Sequence, residues 1–201
     1  MDEGYIKFSS DRIDGEVPDS ARLSALIHAR TRLFDLGLIG SYTNGIGYGN
    51  VSMRASSGQF VVSASATGAL RTLSSAHFCL VEVASFEHNY VRSIGKLPAS
   101  SESMTHGAIY AANDAVQCGI HIHSRRLFDV LVGCGALTTV KDIPYGTPAM
   151  AAAVMGLAQT YRDLPVLFVM AGHDEGVVAY GASIESTIEC IVSTVQMELA
   201  T

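Results

Sequence analysis

Apolar positions recur at helical spacing near the start of the chain. Leu23, Leu26, Ile27, Leu33 and Phe34 share one face, which predicts a helix beginning at Asp19 or Ser20 and stopping at Gly37. From Ser41 to Asn50 that pattern gives way to glycine and asparagine, and the stretch reads as loop. Runs of strand character follow at Val51–Arg54, Gln59–Ser63, Phe78–Val83 and Tyr90–Ser93, with Glu87, His88 and Asn89 turning the chain before the last. A second helix is expected from Ser100 or Ser101 to Ala112, then a strand over Val116–His123, with Ser124 capping a third helix that reaches Val132. Thr147 followed by Pro148 marks the start of a fourth helix, running to Tyr161. Val166–Met170 and Val177–Tyr180 read as strands around the polar turn His173-Asp174-Glu175-Gly176. Ile184, Ile188, Ile191, Val192, Val195 and Leu199 then repeat at helical spacing. Strands and helices mix without strict alternation. The expected class is therefore α/β, a sheet with helices on both faces rather than a doubly wound parallel one. No repeat or linker interrupts the 201 residues, which fit one domain spanning 1–201.

Composition narrows the functional classes. Apolar residues make up 48% and charged residues 16%, against roughly 25% charged in an average domain, so the chain is built to bury a core. A net charge of −6 argues against nucleic acid or an anionic membrane surface as partner. No apolar run approaches the ~18 residues of a membrane span, and the opening Met1-Asp2-Glu3-Gly4 is acidic where a signal peptide is basic. Cys79, Cys118, Cys134 and Cys190 form no Cys-x-x-Cys pair and read as thiols of a reducing compartment. The expectation is a cytoplasmic protein that takes a small-molecule substrate. So little charge also predicts that part of its surface is covered by copies of itself.

The sharpest chemical feature is His121-Ile122-His123. Residues two apart on a strand point to one face, so the two imidazoles can close on a single divalent ion. Apolar Ile120 and Ile122 place them near a core, and His173 stands where another apolar run ends. Other His-x-His patterns fail here: Ser124, Arg125 and Arg126 follow the pair in place of an Asp and a His, and the chain is too short for an eight-stranded barrel. Glu102 follows Ser100 and Ser101 at the mouth of the second helix, where free amides and two hydroxyls can hold an anion and a carboxylate can move a proton. His106, one turn later, reads as a buried structural histidine. Gly49-Asn50-Val51-Ser52 and Ser65-Ala66-Thr67-Gly68 are small-residue loops able to present amides and short polar side chains to a phosphate, although neither is a P-loop.

In their order along the chain these pieces resemble the class II aldolase/adducin family. The matching stretches are Gly49 to Arg54, Thr67-Gly68, Ser100-Ser101-Glu102 with His106 and Tyr110, His121-Ile122-His123, Tyr145-Gly146-Thr147 and the His173 turn. The resemblance implies a three-layer α/β/α fold around a mostly antiparallel sheet, assembled as a homotetramer. It implies a substrate-phosphate pocket from Gly49, Asn50, Thr67, Gly68, Ser100 and Ser101, with Glu102 as the catalytic acid/base. His121, His123 and His173 would hold Zn2+ or another divalent ion such as Mn2+, Co2+ or Fe2+. The implied activity is a metal-dependent aldolase-type lyase on a small, phosphorylated sugar or hydroxy-carbonyl, passing through a metal-stabilised enediolate. Epimerisation, dehydration and decarboxylation use the same logic, and a non-catalytic adducin-like assembly domain is the alternative. One departure matters. Asp174 and Glu175 intervene between His173 and Gly176, so Glu175 competes with His173 as third ligand. Tyr42, Tyr48 and Tyr145 are alternative proton donors.

Overall fold

The computed structural model describes residues 4–56 and 58–199. Met1, Asp2 and Glu3 of the acidic opening, and the side chains of Glu198 and Leu199, lie outside the described residues. Ten strands and five α-helices follow in the order β1 (Ser9–Ile13), α1 (Ala21–Asp35), β2 (Gly40–Ser41), β3 (Gly47–Tyr48), β4 (Asn50–Ser56), β5 (Gln59–Ser63), β6 (Phe78–Ser85), β7 (Tyr90–Ile94), α2 (Ser103–Ala112), β8 (Cys118–His123), α3 (Arg125–Gly133), α4 (Pro148–Thr160), β9 (Val166–Val169), β10 (Gly176–Gly181) and α5 (Ile184–Leu199). Eight strands form one sheet in the order β1-β7-β6-β5-β4-β8-β10-β9, and β2 pairs with β3 apart from it. Every neighbour in the large sheet is antiparallel except β1, which runs parallel to β7 at the edge.

The two faces of the sheet divide the apolar residues by strand period. Phe60, Val62, Val178 and Tyr180 face α2 and α4, while the intervening Val61, Val177 and Ala179 face the opposite layer with α1 and α5. On β8, Cys118, Ile120 and Ile122 belong to the second layer, which turns Gly119, His121 and His123 toward α2 and α4. Burying Ile120 and Ile122 stabilises the strand by about 1.5–3 kcal/mol each, so the orientation of the histidines is set by their apolar neighbours. No helix among the described residues is long and apolar enough to cross a membrane.

Local signals explain the helix ends. Ser20, Ser124 and Thr147 each accept a first-turn amide, from Leu23, Leu127 and Met150. Gly37 at φ +72° ends α1, with the Leu38 amide reaching back to the Leu33 carbonyl. Two expectations need correction. The Ser41–Asn50 stretch is not all loop, because Gly40–Ser41 and Gly47–Tyr48 pair as a short hairpin. The second helix begins at Ser103 rather than Ser100 or Ser101, because the Ser100 hydroxyl accepts the Glu102 amide and its carbonyl accepts the Ser103 amide, forming a turn.

Candidate active site

Three separate loops meet at the end of β8 nearest His123. A cavity of about 310 Å³ is lined by Gly49 and Asn50 at the start of β4, Thr67 and Gly68 after β5, and Ser100, Ser101 and Glu102 before α2. All six residues assigned from sequence to the anion pocket therefore share one cavity with Glu102. Two glycines are there because nothing larger fits. A Cβ on Gly68 would lie 2.2 Å from the Gly40 carbonyl oxygen, and one on Gly49, at φ +74°, 2.7 Å from Ile39.

Asn50 is held from behind. Its Oδ1 lies 2.5 Å from His106 Nε2, and His106 Nδ1 lies 2.6 Å from Ser52 Oγ, itself 2.7 Å from the Tyr110 hydroxyl. With the amide oxygen engaged by the His106 N–H, the Asn50 NH2 is left for the cavity. Burial lowers His106 from 6.5 to about 3, so it remains a neutral bridge. Thr67 lines the cavity, and its hydroxyl donates to the Ala64 carbonyl at 2.8 Å, which ties the turn.

The structure brings His121, His123 and His173 together. Their ring centroids form a near-equilateral triangle of 4.8, 4.9 and 4.8 Å, and one nitrogen from each lies within 4.8 Å of the others. His121 is the test of whether a metal ion suits the cluster. It is 1% exposed, and neither ring nitrogen has a hydrogen-bond partner among the described residues. A buried imidazole without such a partner is costly, and a divalent ion would take up the lone pair of its unprotonated nitrogen. Burial, then the neighbouring imidazoles, keeps His121 and His123 well below the ordinary histidine value, so both present the neutral form that ligates metal. The three-imidazole set fits a divalent ion.

His173 reaches the pair through a tight loop between β9 and β10. A Cβ on Gly172 would strike the Ile143 carbonyl, and Glu175 turns at φ +67° before Gly176 opens β10 opposite His123. Glu175, the alternative ligand, lies elsewhere: its Oε2 accepts the Tyr42 hydroxyl at 3.0 Å and its Oε1 faces Arg125 Nε at 3.5 Å. The Tyr42 oxygen also lies 2.8 Å from His123 Nδ1. With the tyrosine proton given to the carboxylate, Nδ1–H donates to that oxygen and Nε2 carries the lone pair for a ligand. Tyr48 stacks on His123 at 5.4 Å and Tyr145 on His173 at 4.4 Å, so all three tyrosines singled out from sequence surround the histidines.

Glu102 joins the two halves. It is 2% exposed, lines the cavity, and places Oε1 3.8 Å from His173 Nδ1 while Thr105 donates to Oε2 at 2.6 Å. Sequence reasoning passed over Arg30, whose guanidinium donates to the carbonyls of Thr67 and Gly68 beneath the cavity. The signal was present: position 30 continues the inward-facing series of Leu23, Leu26 and Ile27, where a charge is out of place.

The family model for the class II aldolase and adducin N-terminal domain matches residues 26–197. Among solved structures, L-fuculose-1-phosphate aldolase from Thermus thermophilus superposes with a TM-score of 0.62 at 21% identity, over 90% of this chain and 93% of that one. YgbL from Klebsiella pneumoniae, described as a candidate aldolase/epimerase/decarboxylase, gives 0.62 at 21% identity over 88% and 87%. The N-terminal class II aldolase domain of a conserved protein from Thermoplasma acidophilum gives 0.58 at 12% identity over 92% and 96%. These likenesses show a shared fold. No curated protein matches the chain.

Proposed function

This chain belongs to the class II aldolase/adducin family, and from that premise we propose that it is a divalent-metal-dependent lyase that cleaves a carbon–carbon bond in a small phosphorylated sugar or hydroxy-carbonyl. The observation that carries the reading is the position of Glu102, which lines the anion-type cavity and stands 3.8 Å from His173 of the histidine triad. A substrate with a phosphate at one end and a carbonyl at the other spans that arrangement.

In this reading Asn50, Thr67, Gly68, Ser100 and Ser101 hold the phosphate through amide and hydroxyl donors, and Gly49 lets the backbone approach. His121, His123 and His173 hold the ion, and their neutral imidazoles with a nearby carboxylate suit zinc. A divalent ion bound there supplies Lewis-acid polarisation of the substrate carbonyl, which lowers the cost of the negative charge that develops as the adjacent bond breaks. Glu102 faces the triad through Oε1, 3.8 Å from His173 Nδ1, and this atom takes and returns the proton at the carbon beside the carbonyl. The buried surroundings of the carboxylate keep water from competing for that proton. The protein works as a homotetramer: its low charged fraction of 16% supports a surface covered by copies of itself, and the number four follows from the family resemblance.

Metal analysis of the purified protein, followed by a retro-aldol screen over short sugar phosphates, tests the reading. The expected result is about one divalent ion per chain and metal-dependent cleavage of at least one phosphorylated ketose. Bound metal with epimerisation, dehydration or decarboxylation of the same compounds would move the reaction while keeping the site. Neither metal nor turnover would leave an assembly role in the manner of adducin.

A further inference from the structure

Among the described residues, the cavity proposed to hold a phosphate has no cationic liner. The only charged liner among them is Glu102, an acid, and the whole chain carries a net charge of −6. A dianion entering there needs positive potential from somewhere else. Arg30 on α1 supplies it from behind. The side chain is 1% exposed, the largest fully buried in the core, and no carboxylate pairs with it among the described residues. Its Nη2 donates to the carbonyls of Thr67 at 3.1 Å and Gly68 at 2.9 Å, and its Nη1 to those of Leu70 and of Arg71, the latter at 2.9 Å.

These contacts have a direction. In a trans peptide the C=O and N–H point opposite ways, so a guanidinium on the Thr67 carbonyl turns the Gly68 N–H away from itself. Gly68 lines the cavity, and the backbone N–H groups of Ala66, Thr67 and Gly68 donate to no protein acceptor among the described residues. Ala66 is held at φ +60°, an unusual conformation for a residue with a side chain. The loop is thus clamped on its carbonyl side by a charge that no acid neutralises. A neutral donor would satisfy the same carbonyls at lower desolvation cost, so the retained charge calls for a use. Burial lowers the guanidinium to about 10, and it stays cationic at neutral pH.

We propose that Arg30 is a positioning residue that sets the Thr67–Gly68 loop and projects positive potential through it, so that the cavity selects a dianionic phosphate monoester over monoanions of similar size. This rests on the anion reading of the cavity given above and narrows it to a charge state.

Calorimetric titration of the metal-loaded protein at pH 8 with methyl phosphate, a dianion, and dimethyl phosphate, a monoanion, tests it. Wild type should prefer methyl phosphate. Arg30→Met should weaken methyl phosphate by about 10–100-fold and dimethyl phosphate by much less, because a potential projected through the loop acts in proportion to the charge of the ligand. Arg30→Lys keeps the charge but not the planar fork, so it should weaken both ligands while preserving their ratio. Circular dichroism and metal content verify that each variant is folded. If Arg30→Met does not fold, the ratio in Arg30→Lys decides, and its loss overturns the proposal. Equal weakening of both ligands in Arg30→Met reduces Arg30 to a loop brace and also overturns it. A wild type that binds neither ligand removes the anion reading together with this inference, whereas a preference that survives in Arg30→Met removes the inference alone.

Discussion

Acid should destabilise this protein in part through His106, by an amount that follows from its surroundings. The imidazole is 1% exposed and bridges Asn50 Oδ1 at 2.5 Å and Ser52 Oγ at 2.6 Å. Burial holds it at about 3 in the folded protein, while in the unfolded chain it returns to the ordinary histidine value of 6.5. The unfolded state therefore binds the proton first. The resulting stability is fully present above the unfolded value and is lost as pH falls toward the folded one. Near pH 5 unfolding takes up about one proton at this residue, a slope of about 1.4 kcal/mol per pH unit, and between about pH 6.5 and 4 the loss integrates to about 3 kcal/mol. His106→Gln keeps an N–H donor toward Asn50 and cannot titrate. Urea unfolding of both proteins in EDTA, at steps from about pH 7 to 4, measures the difference. The variant should be less stable by about 1–2 kcal/mol at neutral pH, since its amide cannot also serve Ser52. Its disadvantage should then vanish and reverse as the pH falls. His121 and His123 are shifted in the same direction but are present in both proteins, and His106 adds only the smallest contribution to the shift of His121, so most of the difference belongs to His106. Parallel profiles would refute the argument.

The remaining predictions concern the histidine triad and Glu102. His121→Ala and His173→Ala should each remove most bound metal, measured by elemental analysis, with the circular dichroism spectrum little changed; Glu175→Ala should retain metal, and metal loss in Glu175→Ala alone would exchange the ligand roles. Tyr42→Phe deletes the acceptor for His123 Nδ1 and should lower metal affinity by about 10–100-fold in a chelator competition, and an unchanged affinity would show that Tyr42 does not orient the ring. Glu102→Gln should keep metal and bind substrate, yet lose about 10²–10⁴ in turnover, and loss of metal along with activity would recast Glu102 as a ligand.

Much of the architecture was legible in the order of residues, because helices and strands are local. The caps Ser20, Ser124 and Thr147 with Pro148 each sit where the structure starts a helix. The two-residue period of a strand alone put His121 and His123 on one face, opposite Ile120 and Ile122. What depends on distant partners was not legible. Ser9–Ile13 is exposed along its whole length and has no apolar alternation, so it is a strand only because β7 offers it an edge. Glu175 and His173 are both polar residues of one turn; the backbone, pressed against Ile143 at Gly172 and left-handed at Glu175, sends one to the histidines and the other to Tyr42. Arg30 stood at an inward position of its helix, but its acceptors lie 37 to 41 residues further along. Local propensity acts across a few residues. Which loops end up around one cavity is decided by strand order, when β8 inserts between β4 and β10 and brings Asn50 beside His121.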